Sequence, residues 1–407
     1  MEGAAAENAE GEKKEGEEGE EEEEAKFAKG VDDYYERDYV EKQLEDSRIS
    51  TRNIKFFAAL GQSSYKRYNL NLLDDDVIIF IVGNKYQIYN LTTEELNTYH
   101  GQDSDGIGSI CVHPTRQFFA VAERGVSPNI YIYEWPTFRL YRILRKGTEQ
   151  SYAHCEFSPS GTKLVSLGGF PDYNLTVWDW INERVILKCK AFGQEVFRCS
   201  FSPFTDDIIF TGGSGHIKFW KMAQTFTGLK LQGEIAKYGQ LELSDVAGYH
   251  ELPDGKVVSG TEYGTLILWE GNLVKAHLVL DRDAKTPLHT GGIETVLFED
   301  EHFITSGVDG YIKWWPLADI DTAEADEIAE VAIKPAKEIC IKNEDGQLAI
   351  IVGMKRGKDF WLCNDARGCL WKLSSTDFQA TKILEYHSGV VTDLALSDSY
   401  NMAVTVA

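Results

Sequence analysis

Short apolar runs alternate with small polar turns along the chain, and within the runs successive side chains must point to opposite faces. In SGVDGYIKWW (306–315) the pair Asp309-Gly310 precedes the run Tyr311 to Trp315. Asp-Gly tolerates positive φ at both positions and suits a tight type I′ hairpin connection. Beyond it Tyr311, Lys313 and Trp315 point one way, and Ile312 and Trp314 the other. Both faces carry large apolar groups. Such a strand has to be covered on both sides, in a sandwich, a buried sheet or sheets stacked on one another.

The pattern recurs. TGGSGHIKFW (211–220) and SGTEYGTLILWE (259–270) place a Gly at 215 and 264, as at 310, and a Trp five residues later, at 220 and 269, as at 315. Looser copies end at Trp178 in NLTVWDW, Tyr133 in NIYIYEW and Tyr89 in KYQIYN, and GCLWKL puts Leu373 at the equivalent step after Gly368. Successive markers lie 44, 45, 42, 49, 46 and 58 residues apart. A second signal precedes them: CVHP (111–114), CEFSPSG (155–161) and CSFSPF (199–204) each read as a strand entering a turn. Between 151 and 190 the strands fall near SYAHCEF, TKLVSL, LTVWDW and RVILKC. Four short strands per period of roughly 45 residues predict an all-β propeller of about seven four-stranded blades.

These residues resemble the WD-repeat family. Trp178-Asp179 supplies the naming dipeptide once, and the FSP, SG and DG turns match the family's pattern. The resemblance implies a hydrogen-bonded structural group within a blade, best matched by His289, Thr305 (or Ser306), Asp309 and Trp315. It also implies that Trp178, Trp220 and Trp269 pin neighbouring blades together. Asp is missing from most of the other turns, and Tyr or Leu replaces Trp in three units.

Length and composition fit one large ring. Seven blades account for most of 407 residues, and a 43% hydrophobic share supplies a core. No apolar run approaches the roughly 18–20 residues of a membrane span, and the N-terminus lacks the basic-then-apolar order of a signal peptide. The expectation is a soluble, intracellular protein. The seven cysteines fall mostly in strand-like runs, an odd count that reads as free thiols.

Four regions are expected: a disordered acidic tail (1–30), a lead-in packed on the ring (31–60), the propeller (61–385), and residues 386–407. Residues 1–26 hold twelve Glu and three Lys, a net of −9 in a chain of −24; they read as a solubilising arm or one that docks on a basic surface. YHSGVVTDLALS (386–397) begins a further blade. It either completes the first ring or opens a second propeller, and the second reading is preferred because the first unit supplies its own strands. The chain is then expected to be an N-terminal portion. PLADIDTAEADEIAEVAIKP (316–335) explains the longest spacing and reads as a loop grown from one blade edge.

Catalytic chemistry is not expected. GYHELPDGK (248–256) has the wrong glycine spacing and lacks Ser or Thr after Lys256 for a phosphate loop, and GGSGH (212–216) is a blade turn rather than a nucleophile elbow. Cys363 and Cys369 lack zinc spacing, and the nine His residues recur at neither ligand nor triad spacing. No enzyme activity, metal or cofactor is therefore assigned. Net negative charge disfavours nucleic acid. FRLYRILRKG (138–147), on an expected outermost strand, offers Arg139, Arg142 and Arg145 either as edge guards or as contacts for an acidic protein surface.

A closer resemblance lies in TRNIKFFAALGQSSYKRYNLNLLDDD (51–76), GGFPDYNLTVWDWINERVILKCKAFGQEVFRCSFSP (168–203) and KPAKEICIKN (334–343). These strings are similar to an axonemal WD-repeat family of cilia- and flagella-associated proteins. The resemblance implies a place in the axonemal cytoskeleton, with cytoplasmic residence before assembly. It also implies a role in the tether complex joining the motor head of the two-headed inner-arm dynein to the doublet microtubule. The implied partners are dynein heavy chains, the doublet microtubule and a related WD-repeat protein, cilia- and flagella-associated protein forty-three. The alternative class is a substrate receptor of a cullin-type ubiquitin ligase. That class often carries Arg two residues after the WD dipeptide, where this chain has Trp180 and Ile181.

Overall fold

The computed structural model describes residues 30, 32–35, 61–64, 66–102, 105–323, 330–387, 391–397, 399–400 and 402–406. The expected acidic tail and most of the lead-in lie outside the described residues. Strands β1 to β4 (Leu70–Leu72, Val77–Val82, Lys85–Asn90, Leu96–His100) form blade 1. Blade 2 is β5 to β8 (Ile107–Val112, Phe118–Glu123, Ile130–Glu134, Leu140–Leu144). Blade 3 is β9 to β12 (Tyr152–Phe157, Leu164–Gly168, Asn174–Asp179, Arg184–Lys190). Blade 4 is β13 to β16 (Val196–Phe201, Ile208–Gly213, His216–Thr225, Gly228–Ile235). Blade 5 starts with β17 to β20 (Tyr249–Glu251, Val257–Gly260, Leu266–Glu270, Leu273–Val279). Blade 6 follows with β21 to β23 (Ile293–Glu299, His302–Gly307, Tyr311–Pro316). A short helix α1 (Leu317–Asp321) leads to β24 (Glu330–Ala332), which joins blade 5, and to β25 (Lys337–Cys340), which completes blade 6. Blade 7 is β26 to β29 (Ile351–Arg356, Phe360–Asp365, Leu370–Ser374, Ala380–Leu384).

The chain is a seven-bladed β-propeller. Within each blade the successive strands pair antiparallel, as short connections require. The core is seven apolar wedges, one between each pair of adjacent blades. Strand alternation creates them. Trp315 on β23 enters the wedge with blade 5, beside Leu268 and Leu278, while Trp314 faces blade 7, beside Trp361 and Trp371. The last wedge holds Leu70, Ile78 and Phe80 of blade 1 against Phe360, Leu362 and Leu370 of blade 7, and so closes the ring. Tyr386 packs on this wedge from just past β29. Beyond it β30 (Asp393–Leu396) and β31 (Ala403–Val406) pair with each other as a separate, exposed hairpin.

Trp178, Trp220, Trp269 and Trp315 are all buried. Each faces the preceding blade. Each indole N–H also donates to a hydroxyl on the neighbouring strand of its own blade: Trp178 to Ser166 (2.8 Å), Trp220 to Thr211 (2.9 Å), Trp269 to Ser259 (2.8 Å) and Trp315 to Thr305 (2.8 Å). The hydroxyl always lies two residues beyond the Trp's cross-strand partner. Where the marker is Tyr89, Tyr133 or Leu373, that position holds Phe80, Val121 or Cys363, none with an oxygen to accept the bond. A tryptophan follows the hydroxyl because a buried N–H must be paired. In blade 7 a different residue, Trp371, donates instead to Asp365 Oδ2 at 2.8 Å.

The acidic stretch 316–335 does more than loop outward. Ile320 and Ile333 are buried in the wedge between blades 5 and 6, together with Ala323. β24 then pairs in parallel with β20, His277 opposite Glu330 and Val279 opposite Ala332. Two apolar side chains among many acids turn the insertion back into the core, and blade 5 gains a fifth strand.

Trp220→Ala is expected to lower unfolding free energy by about 3–5 kcal/mol in chemical denaturation, through lost burial and a cavity. Thr211→Val keeps the volume but leaves the indole N–H unpaired, and should cost about 1–3 kcal/mol.

Candidate interaction site

His289, Thr305, Asp309 and Trp315 meet in blade 6. His289 Nδ1 lies 3.0 Å from Asp309 Oδ1, its Nε2 lies 2.7 Å from Thr305 Oγ1, and Thr305 also accepts the Trp315 N–H. Asp309 further accepts the backbone N–H groups of Thr290 and Tyr311 at 3.0 and 3.1 Å. Burial pushes its carboxyl up, but the bonds from His289 and these amides outweigh burial and hold it below the usual range. The four residues tie the tight turn after β22 to the loop entering the blade. They are enclosed, and form no surface for a partner.

The three arginines of the 138–147 stretch face the chain's own lead-in. Arg142 is fully buried. Its guanidinium donates to the carbonyl oxygens of Gly30 (2.8 Å), Asp33 (2.8 Å), Tyr141 (2.7 Å) and Ile181 (2.5 Å). Arg139 stacks 3.5 Å over the Tyr34 ring, and Arg145 lies 3.7 Å from Glu183 and 5.8 Å from the Tyr35 ring centre. Tyr34 donates to Glu134 and Tyr35 to Glu183, each at 2.8 Å, and the Tyr35 amide caps the β8 edge at Leu140 O (3.0 Å). The alternation of Arg with apolar residues signalled an edge strand. It carried no sign that the edge is covered from within the chain, since the Tyr34-Tyr35 pair lies about a hundred residues away in sequence.

Residues 66–68, just before β1, cross one mouth of the central channel ringed by β1, β5, β9, β13, β17, β21 and β26. Lys66 Nζ donates to Ile107 O of blade 2 at 3.0 Å, Arg67 pairs with Glu294 of blade 6 at 3.3 Å, and Tyr68 donates to Ala247 O ahead of blade 5. Inside, the Arg198 guanidinium stands 4.9 Å from the Tyr68 ring centre and 4.7 Å from that of Tyr249. Burial opposes its charge, but Tyr68, Tyr249 and Glu156 outweigh burial. His154, edge-on to Tyr68 at 5.2 Å, is held neutral by burial and by the Arg198 and Lys355 charges, its pKa lowered to about 3. At the other end of blades 3 to 5 a cavity of about 300 Å³ is lined by Glu156, Arg198, Ser200, Tyr249, His250 and Glu251.

Among the described residues no cluster of His, Cys, Asp and Glu could hold a metal ion, and no helix is long and apolar enough to cross a membrane. All seven cysteines are unbridged; Cys111 and Cys155 lie with their sulfurs 3.3 Å apart between blades 2 and 3. Burial pushes both the Cys369 thiol, to about 12, and the Cys363 thiol up, which suits packing rather than nucleophilic attack. The arrangement offers surfaces, edges and a plugged channel.

Residues 98–360 match the model of the echinoderm microtubule-associated protein first beta-propeller. The chain belongs to that family. The chain is similar to cilia- and flagella-associated protein 44 of Mus musculus, 40% identical over 379 residues, covering 92% of this chain and 20% of the relative. The protein of the same name in Chlamydomonas reinhardtii is 44% identical over 246 residues, covering 59% of this chain and 14% of the relative. The chain thus spans a fifth or less of the length of these relatives. Among solved structures, the computationally designed Ika8 protein matches with a TM-score of 0.54 at 16% identity, over 85% of this chain and 95% of that one, a likeness of fold alone.

Arg142→Met should lower stability by about 1.5–3 kcal/mol, since four carbonyl groups lose a charged donor, and should speed amide exchange at Tyr35. The pH dependence has a definite sign. His154 protonates near pH 6.5 when unfolded but only near 3 when folded. Its stabilisation is therefore complete above 6.5 and lost as pH falls, by up to about 1.4 kcal/mol per pH unit. Replacing His154 with Phe should flatten the slope of melting temperature between pH 6.5 and 4.

Proposed function

We propose that this chain is the propeller of a non-catalytic scaffold in the axoneme of cilia and flagella. The observation that carries the reading is the 40% identity to cilia- and flagella-associated protein 44 across 92% of the chain. The wider family's name adds microtubule association. The finer role rests on the family resemblance of the three strings quoted above: tethering the inner-arm dynein motor head to the doublet microtubule, beside cilia- and flagella-associated protein forty-three. Propellers suit such work because the ring is rigid while its loops, edges and tails stay free for partners. The ubiquitin-ligase reading gains no support: Trp180 and Ile181 follow the WD dipeptide, Trp180 is buried on Gly161 O (2.7 Å), and the Ile181 carbonyl is taken by Arg142.

The test is extraction from ciliated cells expressing a tagged protein. Retention in the demembranated axoneme is expected, with dynein heavy chain and tubulin among its cross-linked neighbours. Release into the detergent fraction would overturn the axonemal reading. Retention without dynein among the neighbours would overturn the tether role alone.

A further inference from the structure

The outer edges of the blades are not equivalent. Blade 2 has its edge capped at Leu140 by the lead-in, and blade 5 has its edge paired with β24. Blades 3 and 4 present β12 and β16 side by side. β16 is eight residues long, with its backbone edge exposed. On these strands Arg184, Lys188, Lys190 and Lys230 are exposed, and Lys221 joins them from β15. The one acid on β12 and β16 is Glu234. Among the described residues none of the five cations pairs with a carboxylate, and Lys188 Nζ donates to Lys146 O at 2.8 Å. Residues 138–237 hold 13 basic and 9 acidic side chains, a net of +4 within a chain of −24.

Gly30, the first described residue, sits beside this edge. Arg142 bonds both Gly30 O and Ile181 O, which puts Gly30 within a few residues of Arg184. Twenty-nine residues precede Gly30, twelve of them Glu. Extended, they reach up to about 95 Å, several times the roughly 25 Å length of a seven- or eight-residue strand. Tethering also raises the arm's local concentration to about the millimolar range, which no free acidic ligand of ordinary abundance matches.

We propose that the N-terminal arm, residues 1–26, lies along the basic outer edge of blades 3 and 4, held by its glutamates against Arg184, Lys188, Lys190, Lys221 and Lys230. The edge is then occupied within the chain, and an acidic partner reaches it by displacing the arm. Because the contacts are exposed ion pairs, salt weakens them: the Debye length falls from about 8 Å at physiological ionic strength to about 3 Å at 1 M.

Carbodiimide cross-linking of the whole chain tests this, using an equal mixture of isotope-labelled and unlabelled protein and mass-spectrometric mapping. Links from Glu2–Glu24 to Lys188, Lys190, Lys221 and Lys230 are expected within one chain, about fivefold or more above links to the exposed Lys342 and Lys358, as tethered local binding requires. The excess should vanish at 1 M salt. It should also vanish in a K188E/K190E/K230E variant whose melting temperature matches that of the parent. An even spread over all exposed lysines would overturn the proposal, as would links only between labelled and unlabelled copies. A fluorescent peptide of twelve glutamates should bind the protein lacking residues 1–26 and not the whole chain. Equal binding to both would show that the arm leaves the edge open.

Discussion

Every blade in this protein has two apolar faces, and neither can be left in water. That requirement shapes everything else. A four-stranded sheet buried on one side only would expose a continuous row of Val, Ile, Leu and aromatic side chains; stacking each sheet on two neighbours removes both faces at once, and a ring removes the two end faces that a linear stack would keep. Seven apolar wedges follow, each formed by adjacent blades, down to the closing contact of Phe80 and Ile78 with Leu362 and Leu370. Polar groups inside the ring include bonded chains such as Asp309–His289–Thr305–Trp315.

Much of this was legible in the chain because it is local. Alternation, turn glycines and tryptophans five residues later are short-range signals, and they recur often enough to mark seven units. The coupling of tryptophan to hydroxyl was legible too once the register was known: Ser166, Thr211, Ser259 and Thr305 accompany Trp, while Phe80, Val121 and Cys363 accompany Tyr or Leu. Blade 7 shows the limit. Leu373 occupies the strand position equivalent to the other markers, yet the hydrogen-bonded indole belongs to Trp371 and uses Asp365.

Long-range features were not legible, for a physical reason. Whether an arginine on an edge strand faces water or a carbonyl depends on what lies over it, and here the cover is Gly30 to Tyr35, remote in sequence. The same holds for Tyr68, an ordinary turn residue by sequence, which reaches across the channel mouth toward His154 and Ala247. The insertion after blade 6 read as an acidic loop since acids dominate its composition, while two isoleucines decide where it goes.

That insertion changes how the ring would carry load. The apolar packing of a wedge is non-directional, and the seams add polar bonds to it, such as Asn71 to Ile110 O between blades 1 and 2 and Ser306 to Ile351 O between blades 6 and 7. Between blades 5 and 6 the chain leaves β23, crosses the seam, pairs through its backbone with β20, and returns to β25, with Lys256 pairing Asp321 and Lys285 pairing Glu330 along the way. Opening that seam means shearing a row of backbone hydrogen bonds together with the ion pairs, all at once. The contact between blades 2 and 3 is stitched similarly, by Arg142 on Ile181 and Glu183 on the Ile143 amide. What sets the seam between blades 5 and 6 apart is a whole strand: separating these blades requires peeling β24 from β20 along its length.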